Sequence, residues 1–143
     1  MVDEVAERFG HIDILVNSAG VFLPGVLGAL SPEQASYRWA VNVHGVVATT
    51  QQALSHMPDG GRIINLGSIA GERAFGAGFD DYSATKSAVM AYSRSWAHEL
   101  GATQHHVEHR RRGLRPDRYG HPSRQRHGPN DSWSNPIPAL RRS

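Results

Sequence analysis

The sequence of 143 residues predicts an α/β fold built around a parallel sheet. Two short runs, at 12–16 and 62–66, are apolar on both faces, as strands buried in a parallel sheet are. Segments with helical spacing of apolar residues precede, separate and follow these runs. Strands that alternate with helices favour right-handed crossover connections, and hence a parallel sheet.

The first predicted elements are a helix and a strand. Val2, Val5 and Phe9 recur at helical spacing with charged residues between them. Gly10 follows in the position of a helix C-cap. The run 12–16 is then the first strand.

A long helix is predicted to begin at Ser31. Its start has a serine N-cap, a proline at the first helical position and a glutamine at the third, which together form a capping box. The apolar spacing lets this helix continue to about Met57, and the segment 58–61, Pro-Asp-Gly-Gly, ends it. The second strand, at 62–66, comes next and leads into Gly-Ser.

Charge divides the chain into a body and a tail. Residues up to Gly101 hold 6 Lys and Arg against 10 Asp and Glu, a net of −4, whereas residues 102–143 hold 9 Arg against 3 acids, a net of +6. The tail has few apolar side chains, so it buries too little surface to offset its ordering entropy. We therefore predict a domain at 1–101, ending in a helix from Tyr82 to about Leu100, and a disordered tail at 102–143.

Composition also bears on the compartment. The chain contains no cysteine, which excludes a disulfide framework and a thiolate site. The first residues are acidic and lack the apolar region of a secretory signal, and no run has the length of a membrane span. These features predict a cytoplasmic protein without membrane contact.

Polar residues stand where both predicted strands end. Ligands of a parallel sheet bind outside the carboxyl ends of its strands, which here lead into Asn17 and Ser68. Tyr82 and Lys86 lie one turn apart on one face of the last helix, which starts from the same edge. A nearby ammonium favours the phenolate over the phenol, so this pair can transfer a proton. The Ser68 hydroxyl can donate a hydrogen bond to a carbonyl oxygen that gathers charge.

Four motifs in one order resemble those of the short-chain dehydrogenase/reductase (SDR) family. They are Asn-Ser-Ala-Gly at 17–20, Asn42 within the long helix, Ser68, and Tyr-Ser-Ala-Thr-Lys at 82–86. The resemblance covers about residues 2–101 and is nearest to 3-oxoacyl-[acyl-carrier-protein] reductase. It implies a partial Rossmann-like fold, with a doubly wound parallel sheet that binds NAD(P).

The resemblance also implies a role for each motif. Tyr82 is expected to be the catalytic acid/base, while Lys86 tunes it and holds the nicotinamide ribose. Ser68 is expected to position the substrate carbonyl. Asn42 is expected to hold a water that links Lys86 to solvent.

The implied cofactor is NADP or NAD, which exchanges a hydride with a small carbonyl or alcohol substrate. Its expected contacts are Asn17, Ala19, Gly20, Tyr82 and Lys86. No metal is implied. The family resemblance further implies a homo-oligomer that assembles through the two long helices.

Part of the family's pattern is missing. The family opens with a strand and a Thr-Gly-x-x-x-Gly-x-Gly loop, in which glycines let the backbone approach the pyrophosphate. The glycines at 76–78 precede the tyrosine helix instead of following a strand, so they do not replace that loop. We expect that Met1 falls inside the family domain and that the strands at 12–16 and 62–66 each keep a bare apolar edge. Such a chain is predicted to be marginally stable and inactive as an isolated reductase.

The chain also departs from the family after Gly101. The family continues into a buried strand, whereas this chain continues with polar residues at 104–111. We hypothesise that the reading frame is shifted near residue 103. Codons for 104–111 can be chosen that, read one base later, encode the strand-like Asn-Ile-Thr-Ser-Asn-Ile-Val. Genomic DNA without an insertion or deletion here would contradict this hypothesis.

Simpler interpretations accompany each motif. Tyr82 and Lys86 can form an ordinary pair on a solvated helix, Asn42 can be a satisfied polar residue, and Ser68 can cap a turn. The small residues at 84, 88, 91 and 95 can form a close helix-packing face.

Two other functions are compatible with the sequence. One is a non-catalytic interaction partner of a full-length SDR paralogue. The other is a nucleic-acid-binding protein that uses the arginines of the tail, although nothing in the body supports it. His105, His106 and His109 include the i, i+4 spacing of metal ligands, but the segment shows no convincing helix and no carboxylate second shell, and no metal site is predicted.

Overall fold

The protein is described by a computed structural model that covers residues 1–73 and 76–112, with the backbone alone for 111 and 112. The helices are α1 (Val2–Phe9), α2 (Pro32–Trp39), α3 (Gly45–Leu54) and α4 (Asp80–Glu99). The strands are β1 (Ile14–Asn17), β2 (Arg62–Ser68) and β3 (His106–Arg112). A π-helical segment spans Ala40–His44, and 3-10 turns span Ile69–Gly71 and Leu100–Thr103.

The three strands form one parallel sheet in the order β1, β2, β3. Asn17 at the end of β1 pairs with Asn65, and Val107 of β3 pairs with Ile63. Helix α3 packs on β1, and α4 packs on β2 and β3. The predicted α/β class, with a parallel sheet of the partial Rossmann type, is confirmed.

Helix α1 ends as its sequence predicts. Gly10 has φ 89°, and its N–H donates to the carbonyl of Ala6 at 2.7 Å. Glycine adopts this left-handed conformation without steric cost, which closes the helix. The strand that follows begins at Ile14, two residues later than predicted.

The predicted burial of both faces of the first strand is wrong for β1. Ile14 is 56% exposed and Val16 is 52% exposed. Side chains two apart in a strand point to the same face. Within residues 1–73 and 76–112, β1 pairs only with β2, and nothing covers this apolar face.

The long helix begins with the predicted capping box but is not uniform. The Ser31 Oγ accepts from the Gln34 N–H at 3.3 Å, and the Gln34 Oε1 accepts from the Ser31 N–H at 2.9 Å. After Trp39 the helix passes through the π segment, where the N–H of Gly45 donates to the carbonyl of Ala40. A regular helix to about Met57 was predicted, and the structure instead ends it at Leu54.

The core lies between the long helix and α4. Val43, Val46 and Val89 are buried there. Partly buried side chains pack against them: Trp39, Ala88 and Trp96. These contacts fix α4 against the π segment, and α4 carries the tyrosine and lysine predicted to be catalytic.

The segment after Gly101 differs from its prediction. Residues 106–112 form β3, so the disorder expected from 102 onward is wrong for these residues. Polar composition was a poor guide because the segment lies against β2, where the imidazole of His109 occupies the space over Gly67. The bare edge expected on the far side of β2 is therefore covered. The rest of the predicted tail, 113–143, lies outside the described residues, and the frame-shift hypothesis stays a prediction.

No helix within the described ranges is both long and apolar enough to cross a membrane.

Candidate active site

The predicted site residues lie at the carboxyl edge of the sheet. Asn17 ends β1 and Ser68 ends β2. Helix α4 starts at Asp80, two residues earlier than predicted, so Tyr82 is in its first turn and Lys86 in its second. The carboxyl ends of two parallel strands and the N-terminus of one helix therefore meet at this edge, as parallel topology requires.

Tyr82 is half-buried between aromatic rings and the lysine. Its ring contacts that of Phe22 edge-on, with centroids 5.0 Å apart, and Phe22 in turn lies 4.9 Å from Phe79. The Lys86 Nζ lies 5.9 Å from the centroid of the Tyr82 ring. The predicted pairing of Tyr82 and Lys86 on one helical face is confirmed.

Lys86 is held at the edge of β2. It is only 7% exposed, and its Nζ donates to the carbonyl of Leu66 at 3.1 Å. Burial penalises the ammonium and lowers the pKa of Lys86 below its ordinary value. An ammonium has three donor hydrogens, so one bond to Leu66 leaves capacity for a ligand.

Gly20 forms the wall next to this ammonium. A Cβ added at Gly20 would lie 3.4 Å from the Lys86 Nζ and 3.4 Å from the Asn42 Oδ1. A side chain here would therefore occupy the space beside both polar groups. Glycine at this position thus keeps the backbone of the loop after β1 close to both groups.

Asn42 is fully buried and uses its whole amide group inside the protein. Its Oδ1 accepts from the Val21 N–H at 2.7 Å. Its Nδ2 donates to the Val21 carbonyl at 3.0 Å and to the Thr85 Oγ1 at 3.1 Å. The side chain thus ties the loop after β1 to α4. The water expected at Asn42 would have to bind its main chain, and that role stays a prediction.

Ser68 caps the turn that follows β2. Its Oγ accepts from the Ala70 N–H at 3.1 Å, which leaves the hydroxyl hydrogen able to donate to a substrate oxygen. The turn docks closely on α4: a Cβ added at Gly71 would lie 2.9 Å from the main chain of Lys86, and the Ser87 Oγ donates to the Gly71 carbonyl at 2.6 Å. Only glycine allows this approach, which fixes Ser68 relative to α4.

Asn17 faces the interior, unlike the other residues expected to border the cofactor. Its Nδ2 donates to the Thr50 Oγ1 at 3.0 Å and to the Asn65 Oδ1 at 2.8 Å, and the Asn65 Nδ2 donates to the Ser93 Oγ at 2.9 Å. This buried chain of amides and hydroxyls links α3, both strands and α4. The Asn17 amide nitrogen is thus engaged inside the protein, whereas Ala19 and Gly20 are exposed at the edge.

Comparison with known proteins agrees with this geometry. A family model described as Enoyl-(Acyl carrier protein) reductase matches residues 1–109. The chain belongs to the SDR family. Members of this family are oxidoreductases that act on carbonyl or alcohol groups with NAD(P).

Individual SDR proteins are similar over the same part of the chain. The 3-oxoacyl-[acyl-carrier-protein] reductase of Thermotoga maritima is 33% identical over 103 residues, which are 70% of this chain and 41% of the relative. An SDR from Serratia marcescens superposes with a TM-score of 0.74 at 39% identity, over 76% of this chain and 44% of that one. An SDR from Burkholderia cenocepacia in complex with NADP gives 0.73 and 39% over the same shares. This SDR chain therefore spans about two fifths of the length of the curated relatives.

Four residues at this SDR site were missed by the sequence analysis. Thr85 is buried between Asn42 and the Tyr82 carbonyl, to which its Oγ1 donates at 2.8 Å. The other three form a contact between helices and comprise Arg38, Trp39 and Asp81. The sequence did contain a signal for these contacts. Residues 38 and 42 are four apart in one helix, and residues 81 and 85 are four apart in the other.

The described part of the chain contains no group of three His, Cys, Asp or Glu side chains that could hold a metal ion.

Proposed function

We propose that this chain provides the acid/base half of an NAD(P)-dependent oxidoreductase that reduces carbonyls or oxidises alcohols. The single observation that carries the proposal is the buried Lys86, next to Tyr82 on one side and to the exposed glycine backbone at Gly20 on the other. A phenol and an ammonium side by side suit proton transfer to an oxygen held at the carboxyl edge.

Each side chain has a proposed task in carbonyl reduction. The cofactor, NADP or NAD, would supply a hydride to the carbonyl carbon when bound. Tyr82 would give its phenolic proton to the carbonyl oxygen, which the Ser68 hydroxyl would hold by a hydrogen bond. Lys86 would favour the resulting phenolate by its charge and would hold the ribose, and Asn42 would keep the loop at Gly20 in place.

Two similar proteins whose solved structures contain the cofactor support the proposal. The Burkholderia cenocepacia SDR was crystallised with NADP, and a blue fluorescent protein from a metagenomic library, 40% identical, was crystallised with NADPH. In this chain, Lys86 would hold the nicotinamide ribose, and the exposed Ala19 and Gly20 would border the cofactor. The Asn17 amide nitrogen is bonded inside the protein, so Asn17 would contact the cofactor through its other polar atoms.

The isolated chain is expected to bind cofactor weakly and to lack reductase activity. Its described strands and helices include no glycine-rich turn that leads from a strand into a helix N-terminus, the usual site of a pyrophosphate. Titration of the purified chain with NADPH, followed by cofactor fluorescence, tests this. Saturable binding at micromolar concentration would contradict it.

The catalytic assignment is tested in a fusion. In the fusion, the matched part of this chain would replace the corresponding 44% of the Serratia marcescens SDR, so that the rest of that protein completes the fold. NADPH oxidation with a small carbonyl substrate would be measured for the fusion and for its Tyr82→Phe variant. We expect kcat to fall by about 10²–10⁴, the usual contribution of a general acid.

The matched control is Tyr92→Phe. Tyr92 lies on the same helix, is 40% exposed and packs its ring on Trp96 at 5.2 Å, so its hydroxyl has no proposed part in the chemistry. Equal turnover of the fusion and its Tyr82→Phe variant would remove Tyr82 from the mechanism.

The remaining expectations stay predictions. They are a homo-oligomer through the two long helices, a cytoplasmic location and, as the alternative function, a non-catalytic partner of a full-length SDR. Co-purification with an intact reductase would support the alternative. Nucleic-acid binding rests on arginines most of which lie outside the described residues, and it gains no support here.

A further inference from the structure

A buried arginine joins three segments around the first turn of α4. Arg38 is 0% exposed. Its Nη1 donates to the Asp81 Oδ2 at 2.9 Å, and its Nη2 donates to the carbonyl of Leu23. The indole Nε1 of Trp39 donates to the other oxygen of Asp81 at 2.9 Å. Both carboxylate oxygens of Asp81 are therefore held by adjacent residues of α2.

Burial of this arginine requires an explanation. A charged group removed from water is costly unless it is paired and hydrogen-bonded. An apolar side chain at 38 would pack between the helices without that cost. The arginine contributes something that packing does not, namely a fixed direction for the Asp81 carboxylate and for the Leu23 carbonyl.

A second contact of the same kind lies one turn away. Asn42 follows Arg38 by four residues, and it binds Thr85, which follows Asp81 by four residues. Each contact also holds the loop after β1, since Asn42 binds Val21 and Arg38 binds Leu23. Two contacts one turn apart prevent α4 from both rotating and sliding against the long helix.

The residues placed by these contacts are those of the proposed chemistry. Tyr82 directly follows Asp81, and Lys86 directly follows Thr85. Phe22 stands between the two anchored loop residues, and its ring lies edge-on against Tyr82. The tyrosine thus contacts a ring of the loop while its main chain belongs to α4, and Arg38 is bonded to both segments.

We propose that Arg38, with Asp81 and Trp39, is a positioning residue that fixes Tyr82 and Phe22 in the active site. The consequence for turnover rests on the proposed role of Tyr82. The positioning itself does not, because it concerns only the loop and the first turn of α4.

The test compares Arg38→Met with the unchanged 143-residue chain by hydrogen–deuterium exchange and mass spectrometry. Methionine keeps the length and fills the space, and Asp81, which is partly exposed, keeps the Trp39 bond and can be solvated. We expect exchange to become at least about tenfold faster in peptides covering 18–25 and 79–86, because both lose a bond to the guanidinium. Peptides from α1 and from the middle of β2 are expected to be unchanged.

Two further variants make the result specific. Arg94→Met is the matched control, since Arg94 is an exposed arginine of α4, and it should leave both segments unchanged. Arg38→Lys keeps the charge but not the fork of donors, and should restore protection at 79–86 more than at 18–25.

Unchanged exchange in both segments of Arg38→Met would overturn the inference. If that variant instead exchanges faster everywhere, Trp39→Phe decides, because it removes the indole donor to Asp81 while an aromatic ring stays against the core at Val43, Val46 and Val89. Faster exchange of about two- to tenfold at 79–86, the range for one lost hydrogen bond from a neutral donor, supports positioning, and no change rejects it.

Turnover in the fusion separates this inference from the proposed function. Arg38→Met should lower kcat and also raise the KM for cofactor, because the segment 18–25 that it loosens includes the proposed cofactor contacts Ala19 and Gly20. If Tyr82→Phe leaves turnover intact while exchange at 79–86 still rises in Arg38→Met, the proposed function fails and the positioning inference stands. If Tyr82→Phe abolishes turnover and Arg38→Met changes neither exchange nor kcat, the proposed function stands and the positioning inference fails.

Discussion

Two regions of the molecule, the contact between the helices and the sheet near its carboxyl edge and the outer face of β1, depart from ordinary burial in opposite ways. In the first region, Arg38 and Asn42 of the long helix and Asn65 of β2 are fully buried, and each is hydrogen-bonded to neighbouring segments. On β1, Ile14 and Val16 are largely in water. Buried polar groups are tolerated only when paired, and apolar groups gain only when covered. Substitutions in the first region should therefore cost stability, whereas those in the second should cost almost none.

Among the buried polar residues, the largest effect is expected from Asn65→Ala. Asn65 is the centre of the buried amide chain and bonds both Asn17 and Ser93. Its removal leaves the Asn17 amide and the Ser93 hydroxyl each short of one partner. We expect the free energy of unfolding to fall by about 1–3 kcal/mol, measured by urea denaturation.

A matched polar residue gives the control for this loss. Gln51 is exposed on α3, and Gln51→Ala should change the free energy of unfolding by less than about 0.5 kcal/mol. Equal losses for Asn65→Ala and Gln51→Ala would show that the buried amides do not stabilise the fold.

The second effect concerns pH. Burial lowers the pKa of Lys86, so the folded protein releases this proton at lower pH than the unfolded chain. Below the folded-state pKa both states are protonated, and the folded state bears the whole cost of the buried charge. Between the folded-state pKa and the ordinary lysine pKa the unfolded state binds more protons, and the contribution of Lys86 to stability rises with pH.

The predicted rise of stability with pH can be measured by comparison with Lys86→Met. Both proteins would be denatured with urea across the alkaline pH range. Just below the ordinary lysine pKa, the free energy of unfolding of the unchanged chain should rise relative to that of the variant. Other groups titrate in both proteins and cancel in the difference. Parallel curves would mean that Lys86 is not buried as described.

The smallest change in stability is expected from the double variant Ile14→Thr, Val16→Thr. These side chains lie largely in water, so the free energy of unfolding should change by less than about 0.5 kcal/mol. Light scattering should show less self-association, because an apolar strand face and edge would be less adhesive.

The comparison variant for β1 is Ile63→Thr. Ile63 is fully buried in β2, and the change should cost at least about 2 kcal/mol through a lost apolar group and a buried hydroxyl. A loss as large in the β1 variant would mean that its outer face is covered in solution.

Local signals were sufficient for most of the fold. Gly10, the Ser31 capping box and the two apolar runs each act within a few residues, and α1, α2, β1 and β2 lie close to their predicted places. The strand β3 was missed because its residues are polar, and its pairing depends on β2, some forty residues earlier in the chain. The π segment was missed because residues 40–44 contain no glycine or proline that would indicate a break in a regular helix.

The candidate site could likewise be predicted only where its residues are close in sequence. Tyr82 and Lys86 are four residues apart in one helix, so spacing alone places them together. The bonds from Arg38 to Asp81 and from Asn42 to Val21 join residues that are distant in sequence, and no local pattern fixes which polar residue meets which. The inward direction of Asn17 was missed for the same reason, since it depends on Thr50 and Asn65.

The π segment at Ala40–His44 restricts how the long helix can change in length. Bonds from each residue to the fifth before it let this turn hold one residue more than an α-helical turn. Removal of one residue from the segment can therefore restore a regular helix while Arg38 and Thr50 keep their places. Removal of a residue from the α-helical turns between the segment and Thr50 would instead rotate Thr50 by about 100° away from Asn17. In related sequences, a one-residue gap in this helix should therefore fall at 40–44.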